Sequence, residues 1–201
     1  PWEDQVLNNI ISEKPDLLTS YPNIIEKIPS HYKVRTNPNS ALRDIQRLIG
    51  LNDKNPILFE LFSFDYPKSS DLAGKVSMML VYHRSKLDLT NILPVLHNLG
   101  IHVIDQITSR FGDANSTIGY IHAFRILDSN HNKLNELNVK DRLIQTLNDI
   151  FTGNLPNDPL NALILKTELD SANIFLLQAL RNYFYQLFQS SYSLELINQC
   201  M

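Results

Sequence analysis

Residues 76–107 read VSMMLVYHRSKLDLTNILPVLHNLGIHVIDQI, and the order of patterns in this run decides the fold. Val76–Tyr82 is rich in β-branched, aromatic and other apolar residues and is bounded by turn chemistry, which predicts a strand. Thr90 is then placed to cap a helix in which Ile92, Leu93, Leu96 and Leu99 share one face. Pro94 sits early in that helix, where a missing N–H costs little, and Gly100 ends it. Ile101–Ile107 returns to strand character. A strand, a helix and a strand therefore follow one another within about thirty residues, the length of one crossover unit.

Working outward, Ile118, Tyr120, His122, Phe124 and Ile126 alternate along a further strand, with Gly112–Ser116 as the turn that makes it antiparallel to its predecessor. A helix is expected from about Val139, capped by Asn138, with Leu143, Ile144, Leu147, Ile150 and Phe151 on one face and Gly153 beyond its end. Upstream, Ile57–Phe64 after Pro56 is another strand. The order ββαββα predicts an α+β fold. It is a permuted ferredoxin-like, ACT-like four-stranded antiparallel sheet with two helices, whose last strand comes from the front of the chain.

Helical segments flank this sheet. Val6, Leu7, Ile10 and Ile11, then Leu17, Leu18, Ile24, Ile25 and Ile28, lie at helical spacing over residues 3–13 and 15–28. Pro29 and Pro38 bracket a polar connection, after which Asn39 or Ser40 can cap a helix carrying Ala41, Leu42, Ile45, Leu48 and Ile49 up to Gly50. Beyond the sheet, Asn157 or Asp158 with Pro159 starts one helix and Ser171 caps a longer one. The expected division is 1–52 helical, 53–154 ACT-like and 155–201 helical. No tandem repeat is visible.

Composition narrows the function classes. At 201 residues and 43% hydrophobic the chain can bury a sizeable core. Eighteen Lys and Arg against 21 Asp and Glu, with no basic cluster, argue against nucleic acid as a partner. Cys200, the single cysteine, excludes an intrachain disulfide and suits a reducing cytosol, so a cytoplasmic location is expected. Neither a signal peptide nor a run of about 20 apolar residues is present, and no membrane partner is expected. Because the chain opens at Pro1-Trp2 and closes at Cys200-Met201 inside an apolar helical pattern, it reads as a segment of a longer polypeptide.

Little catalytic chemistry is legible. The glycines at 50, 74, 100, 112, 119 and 153 are never closer than seven residues, whereas phosphate cradles need glycines two to five apart. No catalytic, cofactor-binding or metal residue is therefore assigned. His83, His97, His102, His122 and His131 lie on different elements without paired ligand spacing. His122, between Tyr120 and Phe124, is expected to be a half-buried histidine satisfied by a backbone group. The loop Arg84-Ser85-Lys86-Leu87-Asp88 stands between the second strand and the following helix, where ACT-like modules dock small amino-acid effectors. Arg84, Lys86, Asp88 and Thr90 form the candidate effector loop, although it lacks a glycine that would let a carboxylate approach the backbone. Phe175, Tyr183, Phe184, Tyr185, Phe188 and Tyr192 decorate the long C-terminal helix on more than one face, a pattern for core or interdomain packing.

Leu89-Thr90-Asn91-Ile92-Leu93-Pro94-Val95-Leu96-His97-Asn98-Leu99-Gly100-Ile101-His102-Val103-Ile104 resembles the L-S-x-x-L-P-x-L-E-N-L-G-x-x-V-I stretch of the large bacterial NAD-specific glutamate dehydrogenases. Tyr120-Ile121-His122-Ala123-Phe124 is similar to a W-I-x-D-F strand of the same family. Phe151, Gly153, Asn157-Asp158, Asn161, Leu163 and Leu165 follow its F-x-G-x-x-E-N-D-x-x-N-x-L-x-L pattern, and Pro29–Lys33 and Ala41-x-x-Asp44-Ile45 fit upstream. The resemblance covers about residues 29–199. The chain departs from the family at Ser171-Ala172-Asn173 and Gln178, where a Trp-Arg-Glu triplet and an Arg are usual, and at His97 and Gln106. These departures place in question the interdomain contacts inferred there.

The resemblance implies a non-catalytic regulatory and assembly segment lying between N-terminal ACT-like modules and a later dehydrogenase core. That core oxidatively deaminates L-glutamate to 2-oxoglutarate with NAD, in an oligomer, and holds the catalytic residues and the nucleotide. The implied partners are the catalytic core and other modules of the same polypeptide. The isolated chain is not expected to be active. The alternative expectation is a free-standing ACT-like module that senses an amino acid.

Overall fold

The computed structural model of the protein describes residues 1–64, 70, 72–129, 134, 137–189 and 191–200. Four strands, β1 (Ile57–Ser63), β2 (Ser77–His83), β3 (Ile101–Gly112) and β4 (Thr117–Asp128), form one antiparallel sheet in the order β1-β2-β4-β3. Helix α5 (Leu89–Asn98) joins β2 to β3 and α6 (Leu137–Phe151) follows β4. β1 takes the edge beside β2, so the permuted ACT-like α+β arrangement expected from the sequence is the one observed.

Capping side chains and prolines fix the helix boundaries more closely than apolar spacing does. α1 spans Trp2–Glu13, but only Asp16–Ser20 (α2) and a 3-10 turn at Ile25–Lys27 are helical in the stretch expected to be one helix. Pro22 lies between them and cannot donate the N–H that a continuous helix needs. Ser30–Lys33 forms α3 within the expected connection. α4 begins at Pro38 and runs to Gly50. Its cap is Asn37, not Asn39 or Ser40, and accepts from the Ser40 N–H at 2.8 Å. Pro38 supplies a pre-set φ at the first helical position. Asp88, not Thr90, caps α5, accepting the Thr90 N–H at 3.1 Å. α6 starts at Leu137, which puts Asn138 inside the helix. Asp158 caps a 3-10 turn at Pro159–Ala162 that leads into α7 (Leu163–Lys166). Asp170, not Ser171, caps α8 (Ser171–Phe188), and α9 is Leu194–Cys200. β3 continues five residues past Ile107 because β4 pairs along it. The hairpin closes at Asp113–Ser116, where the Asp113 N–H reaches the Ser116 carbonyl at 2.8 Å.

Residues group into two compact units, 1–58 with 80–87 and 106–123, and 59–79 with 88–105 and 124–201. In the first, Val6 and Ile10 of α1, Leu42, Ile45 and Leu48 of α4, and Tyr32 pack with Tyr82, Phe111 and Ile121 of the strands. Val81 and Tyr82 are both fully buried although successive strand side chains point to opposite faces, so this end of β2 is covered on both sides. Within this apolar cluster Asp44 is also buried. Its Oδ2 accepts the Tyr32 hydroxyl at 2.5 Å, its Oδ1 the Tyr82 hydroxyl at 2.9 Å and the Arg43 guanidinium at 2.7 Å. The ring of Tyr32 stands edge-on to Phe111 with centroids 4.9 Å apart. Burial first, and the Asp44 carboxylate second, push the Tyr32 phenol far above its usual range.

In the second unit Phe59 of β1 meets Phe151 of α6, ring centroids 5.3 Å apart. Arg125 and Asp105 form an ion pair between β4 and β3. Arg181 of α8 is 4% exposed and grips Asp158 with two parallel bonds of 2.8 and 2.7 Å. The same carboxylate accepts the Leu160 N–H, so one side chain caps the turn and ties α8 to it. Beside it the Gln178 amide donates to Asn161 Oδ1 at 2.7 Å, and Asn161 in turn donates to the Pro156 carbonyl at 3.0 Å.

Asp44→Ala is expected to remove the acceptor that two buried hydroxyls share and to cost about 3 kcal/mol in urea unfolding. The Tyr32 phenol binds its proton more tightly folded than unfolded, so stability should fall as pH rises above about 10. Tyr32→Phe should make that alkaline loss shallower.

Candidate functional site

The loop after β2 is held by its backbone more than by its charged side chains. Leu87 is its one buried residue, 8% exposed, while Arg84, Ser85, Lys86 and Asp88 are exposed. The Leu87 N–H donates to Nε2 of His122 at 3.2 Å. Since Nε2 accepts, the proton of the neutral ring sits on Nδ1, which lies 3.0 Å from Thr108 Oγ1. The Gln106 amide donates to the same hydroxyl. β3 and β4 thus contribute a relay of Gln106, Thr108 and His122 that ends on the loop amide.

His122 is 1% exposed, and burial lowers its pKa to about 4, helped by the positive charges of His83 and Lys86. It is neutral at physiological pH and serves as an acceptor. The sequence expectation of a histidine satisfied by a backbone group is met, with burial that is complete where half was expected. Ile121 beside it is also buried, on the opposite face of β4 and within the apolar cluster of α1 and α4.

The four candidate effector residues are placed as follows. Arg84 donates to the Leu51 carbonyl and stands 3.9 Å from Asp53, both exposed, an ion pair of small energetic weight. Lys86 is exposed. Asp88 spends a carboxylate oxygen on capping α5, and Thr90 supplies the N–H that it caps. Arg84 and Lys86 belong to the first compact unit, Asp88 and Thr90 to the second. The missing loop glycine has a counterpart that sequence reasoning did not single out. A Cβ on Gly119 of β4 would come within 3.0 Å of the His83 carbonyl and 2.9 Å of Leu48, so glycine there lets α4 and the end of β2 approach the strand.

Among the described residues no group of three His, Cys, Asp or Glu side chains could hold a metal ion, and His131 lies outside those residues. Also among them, no helix is long and apolar enough to cross a membrane.

Residues 64–139 match the family model described as glutamate dehydrogenase, ACT3 domain, a span that holds β2, α5, β3 and β4, including His122 and the loop. Over 196 residues, 92% of the chain, the sequence is 28% identical to the NAD-specific glutamate dehydrogenase of Pseudomonas aeruginosa. Over 190 residues it is 25% identical to the NAD-specific glutamate dehydrogenase of Halomonas elongata. The chain is similar to a segment of these NAD-specific glutamate dehydrogenases. It spans 11% of the length of each of these two relatives. Within that segment the ACT3 match takes in three of the four strands of the antiparallel sheet and leaves β1 outside.

His122→Phe should leave the buried Leu87 N–H without an acceptor, cost about 2 kcal/mol and speed hydrogen exchange at that amide. Because the histidine binds its proton more weakly folded than unfolded, its contribution to stability is fully present above about pH 6.5 and lost as pH falls toward 4. Urea midpoints measured between pH 4 and 7 should show this loss in the parent chain and lack it in His122→Phe.

Proposed function

We propose that the chain is a non-catalytic regulatory and assembly segment of an NAD-dependent glutamate dehydrogenase, one part of a longer, oligomeric, cytoplasmic polypeptide. The parent reaction is the oxidative deamination of L-glutamate to 2-oxoglutarate, carried by other parts of that polypeptide together with NAD. The segment packs against the catalytic core and other modules and sets their positions. The three-part division 1–52, 53–154 and 155–201 describes its helical arms and its ACT-like centre.

The observation that carries this reading is the similarity over 92% of this chain to 11% of each dehydrogenase, centred on an ACT3 match. The chemistry of the loop supports assembly over sensing. Its Leu87 amide is spent on His122, its Asp88 carboxylate on a helix cap and its Arg84 guanidinium on the Leu51 carbonyl. A ligand carboxylate would have to displace bonds that hold the fold. What favours the competing reading, an amino-acid sensor acting through Arg84, Lys86, Asp88 and Thr90, is the exposure of all four residues.

Native extract blotted with an antibody to this chain, then stained in gel for NAD-linked glutamate oxidation, should give one active band far above 23.1 kDa. An inactive band near 23.1 kDa overturns the parent-enzyme reading. Calorimetry of the isolated chain against the proteinogenic amino acids should show no saturable heat, and a definite stoichiometry would move the assignment to the sensor.

A further inference from the structure

Helix α8 is inside out. Its buried residues are Ile174, Gln178 and Arg181, two of them polar, whereas Leu176, Leu180, Tyr183 and Leu187 are 52–62% exposed. These four are spaced by four, three and four residues, the seam with which one helix packs along another. Their row borders a groove of about 630 Å³ between α8 and α9, lined by Leu180, Tyr183, Phe184, Leu187, Tyr192 and Leu196. Arg181, 4% exposed at the base of that groove, is the only Asp, Glu, Lys, Arg or His residue from Ser171 to Phe188.

We infer that this face docks an apolar helix from a different segment of the same polypeptide, an inference that rests on the parent-enzyme reading. Three observations favour that occupant. The face is a contiguous apolar surface with a seam, which a monomeric protein seldom leaves in water. Contacts that choose between separate chains use charged flanks to fix partner and register, and α8 has no charge on its outer surface. A tethered partner needs no such selection, because the tether alone raises its local concentration to the millimolar range. The dehydrogenases similar to this chain carry about nine-tenths of their length outside the matched segment, ample chain to supply one helix. The orientation of Gln178 and Arg181 fits this arrangement, since α8 turns its polar stripe inward, where Gln178 donates to Asn161 and Arg181 to Asp158, and presents its apolar side outward.

The test is a photo-reactive amino acid placed at Leu180, and separately at Tyr183, in the polypeptide expressed from its natural gene. A third variant at Val34, 87% exposed and outside α8, serves as control. After irradiation, mass spectrometry should find residues 171–188 joined to a peptide outside residues 1–201, at the mass of a single chain, with no such product from the control. A product of doubled mass joining two copies of α8, or no product specific to positions 180 and 183, overturns the docking while leaving the dehydrogenase reading intact. A natural polypeptide of only about 23.1 kDa overturns both.

Discussion

A carboxylate can be buried only where donors surround it, and the N-terminal helices are tied to the sheet through one such carboxylate. Asp44 sits on the buried face of α4 and collects the hydroxyl of Tyr32 in α3 and the hydroxyl of Tyr82 on β2. Apolar packing alone would let α4 slide along the strand ends at little cost, since Leu and Ile side chains fit many registers. Two phenol hydroxyls on one carboxylate admit a single register. The aromatic rings that bring those hydroxyls also fill the space around them, Tyr32 against Phe111 in particular, so the polar contact and the apolar cluster fix each other.

The same economy governs the loop at the end of β2. A backbone N–H turned inward must find an acceptor, and a neutral histidine from β4 provides it. His122 can do so only because burial keeps it unprotonated, and the Leu87 N–H, by claiming Nε2, leaves the ring hydrogen on Nδ1 beside Thr108. The polar groups one would look to for ligand binding are committed to architecture.

The sheet was legible because it is written in long patterns. Val76–Tyr82, Leu89–Gly100 and the alternation around Tyr120 each carry enough apolar residues to outvote local exceptions. Helix starts were misread by one to three residues wherever a better oxygen acceptor stood just upstream: Asn37 before Pro38, Asp88 before Thr90 and Asp170 before Ser171. In each case the side chain that reaches the free N–H of the first turn lies outside the periodic pattern, where periodicity gives no signal. The polar end of β3 was missed because Thr108 and Arg110 lack strand-like hydrophobicity, and only the partner strand makes them extended. For the candidate site, the loop and His122 could be named from the sequence. Their contact, thirty-five residues apart, could not. Nor could the inversion of α8, since an aromatic-rich helix reads as core until the inward side of Gln178 and Arg181 is seen.

The permuted strand order changes the sequence in which the sheet can be built. β1 lies at the edge and is made first, so β2 can find its edge partner as soon as it leaves the ribosome, while α5 and everything beyond are still to come. β4, by contrast, lies between β2 and β3, and the central pairing cannot form until residue 128 has been synthesised. β3 and β4 are joined by a tight hairpin and can assemble locally, then dock as a preformed ribbon onto the waiting β1-β2 pair. The edge strand of this module is therefore a nascent-chain template, which shields one side of β2 during the interval when its other side has no partner.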